Sequence, residues 1–393
     1  MPIAYPYNGN PAFPKYNPLN RCHLHITDAQ LSKGFANTLR PIKKELFLFT
    51  QQPTMSDIKQ GILGNCYLLA ALISILNHHN GANHLANIVA TTQINGESKI
   101  GVRLYVHNNF INQLEAIYIY FDPTIFVSNE NGKLSSFDKS KHWVHYLQKA
   151  YYIFQTFIYP QIAKLQINPD VYKKFQTGVH GGYSNEIFTL LLGTPSKKII
   201  LSSPYHREDL FMPFPPEFGL AHYSLEENEL FTAIKTALNE NQLLCADSKI
   251  QQMGVEDPYK GYHGIVPRHA YSIIGYREGA VLLPDNTTRI LKFLLLANPW
   301  KTYIRRYAWR FKPPEGFFSS DFILSAHSEK EVPYASYPYF GNLYFTQTNA
   351  ERIPKLDLDA QSGVFAIELA DFFDCFDQIH FCQGDRLNKP AIY

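Results

Sequence analysis

The sequence has no long apolar run. The longest, around Leu68–Leu76, is interrupted by Ser74 and stops at Asn77. That is well short of the roughly 20 residues needed to span a bilayer, so no membrane partner is expected. The N-terminus has no basic stretch leading into an apolar one, so no secretory signal is expected either. An excess of one charge is also missing. Lys and Arg total 36 against 34 Asp and Glu, a formal net charge of +2, which gives no reason to expect nucleic acid. Cysteine is scarce: Cys22, Cys66, Cys245, Cys375 and Cys382 are an odd set and a poor disulfide framework. They suit a reducing compartment, either the cytoplasm or a host cytosol into which a bacterial protein is delivered. There is no HExxH and no GxxxxGK, and Cys375 and Cys382 are too far apart for a short zinc hook. No metal or other cofactor is therefore expected.

What is present is a large apolar share, 45%, with aromatics at 15% of 393 residues. This is enough for a sizeable core, and the aromatic content fits a β-rich or mixed chain better than a helical bundle. The length fits two domains or one large one. Residues 1–20 hold Pro2, Pro6, Pro11, Pro14 and Pro18, which oppose helix and central strand. They read as an extended or disordered tail. A tail that covers the active cleft is the sharper alternative.

From Gln60 the pattern changes. Gly61 and Gly64 punctuate a turn, and Cys66–Leu76 (CYLLAALISIL) is apolar on nearly every face, the mark of a buried helix with Asn65 as its N-cap. Further helices are expected over Trp143–Phe157, Asn185–Leu192, Glu227–Leu238 and Asp371–Phe376. Strands are expected at Leu243–Asp247, His269–Tyr276, Arg289–Ala297 and Val364–Leu369, with a turn at Pro284-Asp285-Asn286 and a loop at Ser202–Leu220. The aromatic stretches Tyr118–Phe121 and Tyr337–Tyr344 read as packing. His78, His79 and His84 read as solvated histidines near a helix C-terminus. The expectation is a helical domain over residues 21–196 followed by a β-rich one over 197–393.

One combination carries chemistry. A thiol attacks carbonyls as thiolate, and a helix N-terminus or a nearby imidazolium favours that form. Cys66 stands where a glycine-rich turn becomes a buried helix, whose unpaired N–H groups favour negative charge and can hold an oxyanion. Gln60, just upstream, offers a side-chain amide as a second donor. A cysteine nucleophile needs a base, and the base an orienting group. His269 opens one strand and Asn298 ends the next, so a hairpin could bring them together. Pro299 biases Asn298 to extended geometry, and Trp300 offers a flat apolar cover for an Asn–His hydrogen bond. Singly, each has a plain structural explanation: a core cysteine, a structural histidine, an Asn-Pro turn.

In combination these residues match a family. Residues 60–71, QGILGNCYLLAA, resemble the calpain nucleophile motif QGxLGDCWLLAA. His269-Ala270-Tyr271-Ser272 resembles the family's GHAYS, and Asn298-Pro299-Trp300 its NPW. Fainter echoes run in the same order. They are Trp143 with Leu147-Gln148-Lys149-Ala150-Tyr151 (WxxLLEKAYAK), Gly181-Gly182 with Glu186, Phe188 and Gly193 (GGxxxEGFxxxTG), and Ser362-Gly363-Val364-Phe365 with Leu369, Asp371 and Phe372 (DGEFWMxFxDF).

The resemblance implies an α+β, papain-like cysteine protease core. A helical subdomain would bear the cysteine, a β-rich subdomain the histidine and asparagine, with the active cleft between. It implies Cys66 as nucleophile, His269 as general base and acid, Asn298 as orienter, Gln60 as oxyanion donor, Trp300 as shield and Gly182 as a backbone contact for a protein or peptide substrate. The expected activity is endopeptidase. Another thiol acyl transfer, deamidase- or transglutaminase-like, would use the same triad. A non-catalytic binding module is the third reading, against which the intact Cys, His, Asn and Gln argue. The resemblance extends to the end of the family's protease core, and its β-sandwich and EF-hand domains are not expected in these 393 residues.

The departures are informative. Arg268 stands where the family has Gly, and its side chain would either narrow the cleft or recognise an acidic group. At the positions where typical calpain cores bind Ca²⁺ through carboxylates, Asp57 is retained. Lys141, Ser362, Val364 and Ile304 occupy the others. A cation at one ligand position and apolar groups at two more do not suit a hard divalent ion. Activity without calcium is expected.

Overall fold

The computed structural model describes residues 3–4, 7–32, 39–43, 48–61, 64–108, 113–130, 133–136, 140–159, 181–201, 223, 225–249, 265–282, 288–301, 343–348 and 363–388. The expected loop at Ser202–Leu220, the turn at 284–286, and residues 337–342, Ile304 and Ser362 lie outside them. The chain divides into two compact units, Met1–Ser196 with Cys382–Tyr393, and Lys197–Phe381.

The first unit is mixed. In chain order it carries β1 (His23–Ile26), α1 (Asp28–Ser32), β2 (Leu39–Lys43), α2 (Cys66–Asn77), α3 (Gly81–Asn87), β3 (Val89–Ile94), β4 (Glu97–Asn108), β5 (Gln113–Phe121), β6 (Thr124–Glu130), β7 (Lys133–Ser136), α4 (His142–Ile153) and α5 (Ser184–Leu192). The expectation of a helical first half fails here. Two sheets, β1-β5-β4-β3 and β2-β6-β7, stand beside the helices. The β3–β4 hairpin turns at Asn95-Gly96, both at positive φ, which suits the twist of paired strands. The helices fall close to expectation. α2 buries Tyr67 through Ile75 and packs on α3 and α5, as a helix without a polar face must. α4 runs on into a π-helical turn at Phe154–Ile158. His78 is buried rather than solvated and stacks on His79 at 4.3 Å, and the His84 ring is 3.0 Å from Leu191 O.

The described part of the proline-rich N-terminus is not a loose tail. Tyr7 bridges Phe49 and Gly9 bridges Ala90. Gly9 has φ +86°, and a Cβ there would meet Val89 O at 2.1 Å. Phe13 is buried edge-on against Tyr118 and Tyr120, over Gly101, where a Cβ would meet its ring at 2.4 Å. Tyr120 Oη donates to Pro14 O at 2.9 Å. Deeper in, the buried Lys149 ammonium donates to Asp28 Oδ1 (2.8 Å), Thr124 Oγ1 (2.6 Å) and Asp122 O (3.0 Å), tying α1 and β6 to α4. Burial pulls the Lys149 pKa down, opposed by the Asp28 carboxylate.

The second unit is built on one sheet with a covering helix layer. It adds β8 (Ser196–Ile200), α6 (Leu225–Asn239), β9 (Leu243–Ser248), β10 (Ala270–Leu282), β11 (Thr288–Ala297), β12 (Leu343–Thr348), β13 (Val364–Glu368), α7 (Leu369–Cys375) and β14 (Phe376–Cys382). The strand order is β13-β11-β10-β9-β14-β8, with β12 following β9 along the same edge of β10. Alternate residues Tyr271, Ile273, Leu294 and Leu296 face a core completed by Phe231 and Ile234 of α6 and Phe372 of α7, the period-2 burial of a sheet covered on that side. The antiparallel β10–β11 pair brings Ser272 opposite Ala297, so the residues just outside the strand ends, His269 and Asn298, leave the sheet together.

Candidate active site

The approach to Cys66 is fixed before the helix begins. A 3₁₀ turn at Met55–Asp57 buries Asp57, whose Oδ2 accepts the Thr54 N–H (3.0 Å) and the Trp143 indole N–H (3.1 Å). Asp57 O accepts from Lys141 N at 2.9 Å, and Lys59 N donates to Ser140 Oγ at 2.9 Å. Gln60 is buried at the end of this pinned segment. Cys66 is the first residue of α2 and half-buried, whereas Cys245, Cys375 and Cys382 are buried; none of the five cysteines is in a disulfide.

Asn65 holds the N-cap position only through its backbone, its C=O accepting from Leu68 N and Leu69 N. Contrary to expectation its side chain makes no capping bond, and its Oδ1 and Nδ2 are buried without a partner. The Asn65 amide therefore occupies none of the first-turn N–H groups beside Cys66, the groups that draw negative charge to a helix start.

The Gly181-Gly182 turn docks on this same start. Gly181 N donates to Gly64 O (3.0 Å), and Ser184 Oγ donates to Tyr67 O (3.0 Å). A Cβ at Gly182 would lie 2.5 Å from Tyr67 Cε2. Gly182 thus has a packing reason to lack a side chain, independent of the substrate contact that the sequence suggests for it. Tyr67 Oη donates to Tyr151 Oη (3.3 Å), which also accepts from Gln155 Nε2 (2.7 Å). Trp143, Lys149 and Tyr151, the fainter motif on α4, are the residues that hold Asp57, α1 and Tyr67 in place.

In the second unit His269 and Asn298 are both buried, and the imidazole Nε2 lies 2.8 Å from Asn298 Oδ1. The same oxygen accepts the Trp300 backbone N–H at 2.9 Å. That N–H can only donate, so the amide oxygen is the atom facing the ring, and Nε2 must carry the proton. The free-base tautomer leaves Nδ1 with the lone pair. The Trp300 ring lies 4.7 Å from the imidazole and Tyr271 meets it edge-on at 4.9 Å, so the pair is covered by aromatic surface. Burial lowers the His269 pKa to about 4, with the Asn298 hydrogen bond opposing, so the ring is neutral at pH 7. Arg268, directly before it, is exposed.

Two positioning residues carried no role in the sequence reading. Ser248 accepts the His269 N–H on Oγ (2.9 Å), gives its own N–H to His269 O (2.9 Å) and donates Oγ–H to Val266 O (2.6 Å), so it clamps both backbone groups of the histidine. Gly363, at φ +72°, accepts Asn298 N at 2.8 Å, and a Cβ there would strike Asn298 O at 2.6 Å. The glycine in the fainter C-terminal motif is the available signal for Gly363. Ser248 gave none.

At the family's calcium positions, Asp57 spends one carboxylate oxygen on two N–H donors, Lys141 presents a cation, and Val364 is a buried strand residue opposite Ala297. These residues do not fit a Ca²⁺ ion, which needs six or more oxygen ligands. Among the described residues no group of three or more His, Cys, Asp and Glu side chains could hold a metal ion. None of the described helices is long and apolar enough to cross a membrane.

Cys66, Gln60 and Gly182 belong to the first unit, and Arg268, His269, Asn298 and Trp300 to the second. A mixed α+β chain with a half-buried thiol at a helix start and a covered His–Asn pair has the parts of a cysteine peptidase. The family model "Calpain family cysteine protease" matches residues 36–315, and the chain belongs to that family. It is 26% identical to the calpain-2 catalytic subunit of Macaca fascicularis over 251 residues, 63% of this chain and 28% of that protein. To calpain-8 of Mus musculus it is 22% identical over 346 residues, 86% of this chain and 37% of that protein. To the calpain-type cysteine protease DEK1 of Zea mays it is 23% identical over 273 residues, 68% of this chain and 10% of that protein. The chain therefore spans well under half the length of these relatives.

Proposed function

We propose that this chain is a cysteine endopeptidase that hydrolyses peptide bonds of protein substrates with Cys66, His269 and Asn298, and does so without calcium. The observation that carries the reading is the shared Asn298 Oδ1, which accepts the Nε2–H of the His269 ring and so leaves Nδ1 as its basic atom. In the proposed reaction His269 Nδ1 takes the Cys66 proton as Sγ adds to the substrate carbonyl carbon. The oxyanion is held by N–H groups at the start of α2 and by the Gln60 amide. His269 then gives the proton to the leaving amine as the C–N bond breaks, and a thioester remains on Cys66. Water attacks this ester while His269 accepts its proton, and Cys66 is released with a carboxylic acid product. Asn298 keeps the ring in the useful tautomer, and Trp300 shields their bond from water. Arg268, directly before His269 in sequence, and Gly182, whose turn docks on the start of α2, serve as substrate contacts.

Calcium independence is supported by the poor fit of Asp57, Lys141 and Val364 to such an ion. Five cysteines outside any disulfide favour work in a reducing compartment, the cytoplasm of the cell of origin or of a host. The test is incubation of wild type and Cys66→Ala with casein and with a thiol-directed covalent inhibitor. Cys66-dependent fragments support the proposal. Labelling of Cys66 without fragments favours a non-hydrolytic acyl transfer, and neither labelling nor fragments favours a binding module.

A further inference from the structure

Backbone strain marks the turn into β10. Among the described residues, four non-glycines have positive φ: Asn95, Asn241, Arg268 and Lys301. Asn95 sits in the β3–β4 hairpin and Asn241 just after α6, places where asparagine tolerates the left-handed region. Arg268 (φ 55°) and Lys301 (φ 52°) are long cations, and they bracket the His269–Asn298–Trp300 group along the chain. A left-handed backbone at a residue with a Cβ costs about 1–2 kcal/mol, and the glycine of the family pattern would avoid that cost at position 268.

The strained backbone is also held rigidly. Arg268 N donates to Lys249 O at 3.2 Å, and both backbone groups of the next residue are clamped by Ser248. The neighbouring cation is occupied, since Lys249 Nζ donates to Phe373 O at 2.8 Å. The Arg268 side chain is exposed, and among the described residues its guanidinium has neither a hydrogen-bond nor an ionic partner. An arginine head with five donors, carried on a fixed backbone one residue before the proposed base, is built to receive a planar carboxylate.

We infer that Arg268 is a specificity residue that binds an acidic side chain of the substrate close to the scissile bond. This deepens the peptidase reading and rests on it. The test uses three fluorogenic peptide pools that differ only in carrying Asp, Asn or Lys at the positions around the cleaved bond. Wild type is expected to favour the Asp pool over the isosteric Asn pool by about tenfold or more in kcat/KM, the scale of a charge-assisted hydrogen bond. Arg268→Gly, which relaxes the left-handed backbone and so should fold and melt at least as high, brings that ratio to about one. Arg268→Glu turns the preference towards the Lys pool. Wild-type cleavage without a charge preference, or a preference that survives in Arg268→Gly, overturns the assignment while leaving the peptidase reading intact. Failure of wild type to cleave any pool or to be labelled at Cys66 overturns the peptidase reading, and this assignment with it.

Discussion

Asn298 offers His269 an oxygen that is already committed: Oδ1 receives the imidazole Nε2 at 2.8 Å and the Trp300 amide at 2.9 Å. The backbone donor orients the side-chain amide, and the amide then chooses the imidazole tautomer. The state of a proton in the proposed mechanism is thus set by the fold of the Asn-Pro-Trp segment.

Replacing Asn298 by Ala is expected to lower kcat by about a hundredfold or more, because the ring loses the partner that fixes its tautomer. Asn298→Asp keeps an acceptor and adds a buried negative charge beside the ring. It should raise the His269 pKa and move the acidic limb of kcat/KM upward by about one to two pH units. Profiles of wild type and Asn298→Asp that superimpose would remove Asn298 from the proposed site.

The pH dependence of stability follows from the same histidine. Its folded pKa, about 4, lies below its unfolded value of 6.5. Between those values the unfolded chain binds the extra proton, so stability rises with pH across that window. The contribution is complete above pH 6.5 and lost as pH falls through about 4. The full difference amounts to about 3 kcal/mol at most. Denaturant titrations between pH 4 and 7 should show this slope in wild type and a flatter one in His269→Gln.

Ser248→Ala removes the acceptor of the His269 N–H and the donor to Val266 O in a buried place. A loss of about 1–3 kcal/mol of stability is expected by urea titration. Because the clamp positions the imidazole, kcat should fall by more than KM rises. A change in KM alone would make Ser248 merely structural.

Phe13→Ala tests the N-terminal segment. The ring is buried on Gly101 between Tyr118 and Tyr120, so its loss should destabilise the first unit by about 3–5 kcal/mol. Peptidase kcat measured well below the melting temperature should stay within about twofold of wild type. A large rise in rate with unchanged stability would instead support a tail that restrains the activity.

Chelation tests calcium. Peptidase activity in excess chelator is expected to equal that in added Ca²⁺, since Asp57 is committed to the Thr54 and Trp143 N–H groups. Complete loss with chelator, restored by Ca²⁺, would refute the calcium-independent reading.

The sequence by itself determined the family, the helix that begins at Cys66 and the strands that end beside His269 and Asn298. Each of these rests on local pattern: an apolar run broken only by Ser74, a glycine turn, period-2 alternation, a proline after asparagine. It misjudged the first half as helical, because β3 to β7 lie between helices whose motifs are stronger than their own alternation. Only the tertiary structure decided that the proline-rich N-terminus is packed on β3 to β5, that the Asn65 side chain makes no capping bond at its N-cap position, and that Ser248 and Gly363 seat the histidine and the asparagine. Those outcomes depend on hydrogen bonds and close contacts between residues far apart in the chain. Ser248 and His269 are 21 positions apart, and Tyr120 and Pro14 are 106 apart. No local preference of a serine, a phenylalanine or a glycine encodes the partner that it will meet.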